Sequence, residues 1–127
     1  MKIISFAWTT KALLEGKKTV TRRNWNEKFA KTFHKGDLVQ AYDKNPRCHG
    51  KKIAEIRLTS DPYKQWLHEM TDEDEIKEGH LWGNAEEYRK SFVSKSFSIG
   101  KDKKVWVIEF EIVIQEARDV KGVGYAE

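Results

Sequence analysis

The sequence predicts one α+β domain, a small, mostly antiparallel β-barrel with short flanking helices. Three observations carry this. The 127 residues are enough for one core and too few for two ordinary domains. Apolar residues make up 39% of the chain and charged residues 35%, with five Trp, six Phe and four Tyr, a composition that supports a core and argues against intrinsic disorder. About five strand-like runs are interrupted by short helical ones, without the regular strand-helix-strand alternation that a doubly wound sheet needs.

Met1 to Trp8 reads as a buried strand, with Phe6, Trp8 and, near the other end of the chain, Trp106 expected in the core. Thr10 is placed to cap a short helix over Lys11 to Glu15, and Gly16 ends it, because glycine takes the left-handed conformation at little cost. Lys18 to Trp25 is extended, rich in residues that favour strands. Lys18 and Thr21 are three apart, so a regular strand would point them to opposite faces; they meet only if the chain bends near Gly16 and the regular strand starts after Lys18.

A helix over Glu27 to Phe33 follows, then the turn His34-Lys35-Gly36-Asp37 and a strand from Leu38 to Tyr42. Asp43 to Gly50 is a polar loop, and Lys51 to Thr59 returns as a strand, so the pair forms a hairpin with a long tip. Tyr63 to Met70 presents a short apolar helical face. Thr71 opens a second helix whose first turn is acidic, as the helix dipole favours, and Glu78-Gly79 closes it. Asn84 to Val93 is amphipathic, with Tyr88 and Phe92 one turn apart. Lys95 to Lys104 is a basic connection, and Val105 to Ile114 is the last strand. The domain is expected to span residues 1–114, with residues 115–127 a poorly ordered tail.

Net charge is only +4, but it is unevenly distributed. Residues 1–35 carry nine Lys and Arg against two acids, whereas residues 69–78 carry six acids against Lys77. The densest cationic stretch, Gly16 to Arg23, gathers four cations and two hydroxyls in eight residues. Like charges this close need water or an anion around them, and a carboxylate, a phosphate or a nucleic-acid backbone would serve.

The lone Cys48 cannot close an intramolecular disulfide, and no signal-like segment precedes the first strand, which together predict a cytoplasmic protein. No apolar run approaches the roughly 20 residues of a membrane-spanning helix, so no membrane partner is expected. Cys48, His34, His49, His68 and His80 match no metal-ligand spacing, and Gly-Lys-Lys-Thr lacks the earlier glycine of a phosphate loop. No metal or other cofactor is expected.

Within this frame the stretch Gly16 to Arg23 resembles the signature of the ASCH domain family, small barrels of the PUA-like superfamily. That signature has the form GxKxTxR after a short helix, and Gly16, Lys18, Thr21 and Arg23 match it when it is read as G-x-K-T-x-T-x-R. Gly36-Asp37-Leu38-Val39, Glu78-Gly79 and Val107-Ile108-Glu109-Phe110 add to the resemblance, which spans roughly residues 2–114. It implies a PUA-like barrel and two activity classes. Some relatives are small amidohydrolases that deacylate acetylated cytidine through a Lys, a Thr and a Glu, which fall here on Lys18, Thr21 and Glu78. Others are linked to RNA binding or RNA cleavage.

A threonine hydroxyl is a weak nucleophile until a base takes its proton, and a lysine is a base only when neutral. Burial and the nearby Lys17, Arg22 and Arg23 both favour a neutral Lys18. Glu78 either pairs with the Lys18 ammonium or itself shuttles protons to the leaving amine. Arg23 is the candidate to hold the substrate carbonyl or its oxyanion. Lys17 and Arg22 are expected to face solvent or an RNA backbone, and Trp25, Trp66 and Trp82 are candidates to stack on a base. The sequence thus predicts an RNA or nucleoside-type ligand. An amidohydrolase is one reading, a non-catalytic RNA-binding module or single-stranded RNA nuclease another, and a regulator sensing a small anion a third.

Overall fold

A computed structural model describes residues 2–95 and 103–115; most of the basic connection after Lys95 and residues 116–127 of the tail lie outside them. In chain order the elements are β1 (Ile3–Ser5), α1 (Thr10–Leu14), β2 (Val20–Arg23), α2 (Glu27–Ala30), β3 (Leu38–Tyr42), β4 (Lys52–Leu58), β5 (Tyr63–Trp66), α3 (Asp72–Lys77), α4 (Ala85–Lys95) and β6 (Lys104–Gln115). The strands make one curled mixed sheet, a half-barrel, in the order β1-β3-β4-β6-β2, with β5 also paired to β6. Only the β1–β3 pair is parallel among the described strands.

β6 is the spine of the sheet. Its 12 residues pair with β2 along one edge and with β5 and then β4 along the other. Alternation along a strand sends successive side chains to opposite faces, so β6 serves two cores. Trp106, Ile108 and Phe110 join Val39, Ala41, Ala54, Ile56 and Leu58 in the main one. Val105 faces the other way and packs with Leu67 beneath Phe92 and Val93 of α4. This double burial explains why the run from Val105 to Ile108 is apolar without a break.

The helices are short: α1 begins at Thr10 itself, the residue expected to cap it, and α2 stops at Ala30, short of the expected Phe33. Gly16 ends α1 at φ +78°, Asn26 caps α2 by accepting from Phe29 N, and Thr71 caps α3 in a reciprocal capping box with Asp74. Tyr63 to Met70 departs from the sequence expectation of a helical face. It is a strand followed by a 3-10 turn over Leu67–Glu69, because β6 offers its edge to Tyr63–Trp66, and the two residues it buries are Leu67 and Met70. Trp8 departs as well: it follows β1 in a tight turn, is 55% exposed, and leaves the core to Phe6. No helix among the described residues is long and apolar enough to cross a membrane.

α3 ends against α1 through Gly79. Its φ is +117°, and a Cβ there would lie 2.9 Å from the Cβ of Ala12, closer than real side chains approach. Gly16 has a positive φ but open space around it. Gly79→Ala is therefore expected to lower stability by about 2–3 kcal/mol through strain plus overlap, and Gly16→Ala by only about 1 kcal/mol through strain. Urea midpoints of the two variants check this; equal losses would mean that the contact with Ala12 is loose.

Candidate functional site

The link from α1 to β2 brings the cationic stretch round to the end of α3. Lys17 N and Lys18 N both donate to Ala12 O, at 2.9 and 3.2 Å, which holds the bend that Gly16 permits. Thr19 N then donates to Lys77 O at 2.8 Å, and Lys18 forms an isolated antiparallel bridge with Glu78. Regular strand begins only at Val20. The bend lets Lys18 and Thr21 line the same cleft although they are three residues apart.

The charged groups then meet in the interior. Lys18 Nζ donates to Glu78 Oε1 at 2.6 Å and to Glu78 O at 3.2 Å. Arg22 Nη1 donates to Glu78 Oε2 at 3.0 Å, its Nη2 lies 3.3 Å from Asp74 Oδ2, and its Nε donates to Gln65 Oε1 at 3.0 Å. The side chains of Lys18, Arg22 and Glu78 are 3%, 1% and 1% exposed. Charges this deep are tolerated only when paired and hydrogen-bonded. No buried side-chain nitrogen or oxygen among the described residues lacks a partner.

Desolvation dominates the electrostatics of Lys18 and lowers its proton affinity; Glu78 opposes this, and Arg23 and Arg22 add to it. The neighbouring Tyr88 phenol is pushed well above its ordinary value by burial first and by the Glu78 charge next, so it is a proton donor to its surroundings.

The cleft has a volume of about 300 Å³, with Phe6, Trp8, Trp82, Tyr88 and Phe92 as its aromatic walls. Trp82 packs edge-on against Trp8 and Tyr88, with centroids 5.2 and 4.5 Å apart, and Tyr88 stacks on Phe92 at 6.0 Å. Arg23 closes the other side. Its Nη2 donates to Ser5 O at 2.7 Å, its Nε donates to Thr21 Oγ1 at 3.1 Å, and its guanidinium lies over the Phe6 ring. Buried Glu75 fixes the loop that carries Trp82, accepting from Trp82 N and Gly83 N at 3.0 and 3.2 Å while its other oxygen meets His80 Nδ1 at 2.6 Å.

Of the residues singled out from sequence, Lys18, Thr21, Arg22, Arg23, Glu78 and Trp82 line this one cleft. Lys17 is exposed outside it and pairs with Glu15 at 3.3 Å. Trp25 is half-buried and packs against the main core, its ring stacked on Phe33 at 4.7 Å and edge-on to Phe29 at 4.8 Å, because α2 and the turn after it bring both rings beneath it. Trp66 stacks on His68 away from the cleft. Arg22 corrects the expectation of a solvent-facing cation: it is buried, and its guanidinium is already held by Glu78, Asp74 and Gln65. Trp8 and Tyr88 are among the cleft residues that sequence reasoning missed. Their signals were a tryptophan at the end of a strand and a tyrosine one turn from Phe92, both of which read equally well as core. Among the described residues no three His, Cys, Asp or Glu side chains are grouped to hold a metal ion.

Because the folded protein holds the Lys18 proton less tightly than the unfolded chain does, Lys18 contributes stability fully above the ordinary lysine value of 10.5 and loses it as pH falls through its lower folded-state value. The stability of wild type minus that of Lys18→Met is thus expected to rise from neutral pH toward 10.5. Urea unfolding at several pH values measures it; a flat or falling difference would contradict the burial of an easily deprotonated lysine.

No family model matches the chain, and no curated protein matches its sequence. Solved structures do resemble it. A protein from Enterococcus faecalis V583, of the DUF984 family model, superposes with a TM-score of 0.70 at 16% identity, covering 100% of this chain and 85% of that one. An ASCH domain from Lactobacillus crispatus JV V101 superposes with a TM-score of 0.65 at 16% identity, covering 90% and 81%. Together with the strand order, these likenesses show that the chain has the fold of an ASCH domain, a curled half-barrel of the PUA-like kind with a few short helices.

Proposed function

We propose that the protein is an amidohydrolase that removes the acyl group from a modified nucleoside of the acetylated cytidine kind. One observation carries the reading: Lys18, with its proton affinity lowered by burial, lies 2.6 Å from Glu78 in the cleft that Thr21 also lines. The size of the cleft supports a single nucleoside rather than a strand, and its tryptophan walls suit a planar base.

The roles follow from what each group is free to do. Thr21 Oγ1 accepts from Arg23 Nε, which leaves its own proton available to a base. Neutral Lys18 takes that proton as Oγ1 attacks the acyl carbon. The oxyanion forms beside the Arg23 guanidinium, and the carbon–nitrogen bond breaks as the Lys18 ammonium returns the proton to the leaving exocyclic amine. Water then hydrolyses the threonine ester, freeing the carboxylic acid and restoring Thr21. Both Glu78 oxygens already accept a hydrogen bond, one from Lys18 and one from Arg22, so Glu78 serves better to orient Lys18 than to carry protons itself. An RNA-backbone grip has less support, since Arg22 is already held by Glu78, Asp74 and Gln65.

The test is incubation with acetylated cytidine, followed by chromatography for cytidine and acetate. Wild type is expected to turn it over, and Lys18→Met and Thr21→Val each to lose at least about a hundredfold in kcat/KM. Wild type that leaves acetylated cytidine intact would overturn the reading. Full activity in Thr21→Val would remove threonine as nucleophile and leave water in that role.

A further inference from the structure

Arg22 is the one buried charge in the cleft for which the proposed reaction gives no task. It sits on β2 beside Thr21, yet its guanidinium faces Glu78, and it lines two cavities at once: the cleft, and a polar cavity of about 230 Å³ that Asp74, Lys77, Tyr63 and Glu109 also line. Its hydrogen bonds divide between them. Nη1 takes Glu78 Oε2, while Nη2 reaches Asp74, whose side chain is partly open to solvent, and Nε is fixed by Gln65 of β5.

Glu78 therefore has one oxygen on each of two cations. Oε1 belongs to Lys18 and Oε2 to Arg22. A carboxylate shared in this way holds the Lys18 proton less firmly than one devoted to it, because the second cation offsets part of its field. Asp74 in turn offsets part of the charge on Arg22. The charged groups around Lys18 are Glu78 at the end of α3 and Arg22 and Arg23 on β2, with Asp74 behind Arg22, and the Tyr88 phenol of α4 meets the same Glu78 carboxylate.

We propose that Arg22 is a positioning residue that touches no substrate: by holding Oε2 of Glu78 it limits the grip of that carboxylate on Lys18, and Asp74 sets how strongly Arg22 does so. This rests on the proposed role of Lys18 as a base only for its use; the coupling itself is a property of the resting protein. Burial adds to the argument, since Lys18 is already poised toward its neutral form by desolvation, and a cation held at fixed distance is an effective way to keep it there.

The inference predicts opposite responses to two substitutions. Arg22→Gln frees Glu78 for Lys18, and the midpoint of Lys18 deprotonation is expected to rise by about one pH unit. Asp74→Asn removes the anion behind Arg22 and keeps an oxygen able to accept from Thr71 N, so α3 retains its cap; the midpoint is expected to fall. Arg22→Lys restores a cation and is expected to return the midpoint toward wild type. Heteronuclear NMR titration of lysine-labelled protein, with Lys18 assigned by its disappearance in Lys18→Arg, reads each midpoint without any turnover. It therefore succeeds or fails independently of activity on acetylated cytidine. If Arg22→Gln does not fold, Asp74→Asn alone decides. A midpoint that does not move in Asp74→Asn, or that shifts the same way in both variants, overturns the inference.

Discussion

The ion pair between Lys18 and Glu78 is the constraint around which the molecule is arranged. Neither group can be buried alone, since an unpaired charge in a low-dielectric interior costs several kcal/mol after relaxation. The fold must therefore bring the α1–β2 link and the end of α3 together, and it does so twice, through the side chains and through the bridge of their backbones. Lys77 O, Ala12 O and the close approach of Gly79 to Ala12 serve the same end. The segments concerned lie 60 residues apart in the chain.

From that junction the cleft follows. β2 is the edge strand of the half-barrel, and its Thr21, Arg22 and Arg23 line the cleft together with Glu78, Trp82 and Tyr88 from the end of α3, the following loop and α4. Glu75 ties the loop to α3 and sets Trp82 against Tyr88 and Trp8. The two carboxylates of α3 that are most deeply buried thus divide the work, Glu78 holding the cations and Glu75 holding the wall. This is why an acidic helix that looks solvated in sequence has two of its carboxylates buried.

Much of this was legible in the sequence, for identifiable reasons. Leu38 to Tyr42 and the strands around Lys52 and Val105 alternate or run apolar as their burial requires. Gly16 and Thr71 mark helix ends by backbone chemistry that does not depend on tertiary context. The uneven charge of the chain, cationic before residue 35 and acidic around residue 75, pointed to the contact that the structure contains. What failed were readings in which the same residue suits two environments. Trp8 and Trp25 exchange their expected places: Trp25 is captured by Phe29 and Phe33, while Trp8 is turned out by the sharp bend in which Ala7 takes a positive φ. Tyr63 to Trp66 became a strand because β6 offered a free edge, information that lies in the partner and not in the segment. Arg22 was read as surface because arginine is rarely buried; only the three-dimensional position of Asp74, Gln65 and Glu78 reveals why this one is.

The most direct test of the account is a double-mutant cycle on Lys18 and Glu78, with unfolding free energy as the readout and Lys18→Met, Glu78→Leu and the double variant as its corners. If the pair organises the junction, the loss in Glu78→Leu, which strands two cations, is partly recovered when Lys18 is removed as well, giving a coupling of about 1.5–3 kcal/mol. Effects that add to within about 0.5 kcal/mol would show that the two side chains are neighbours without being partners, and would contradict the account.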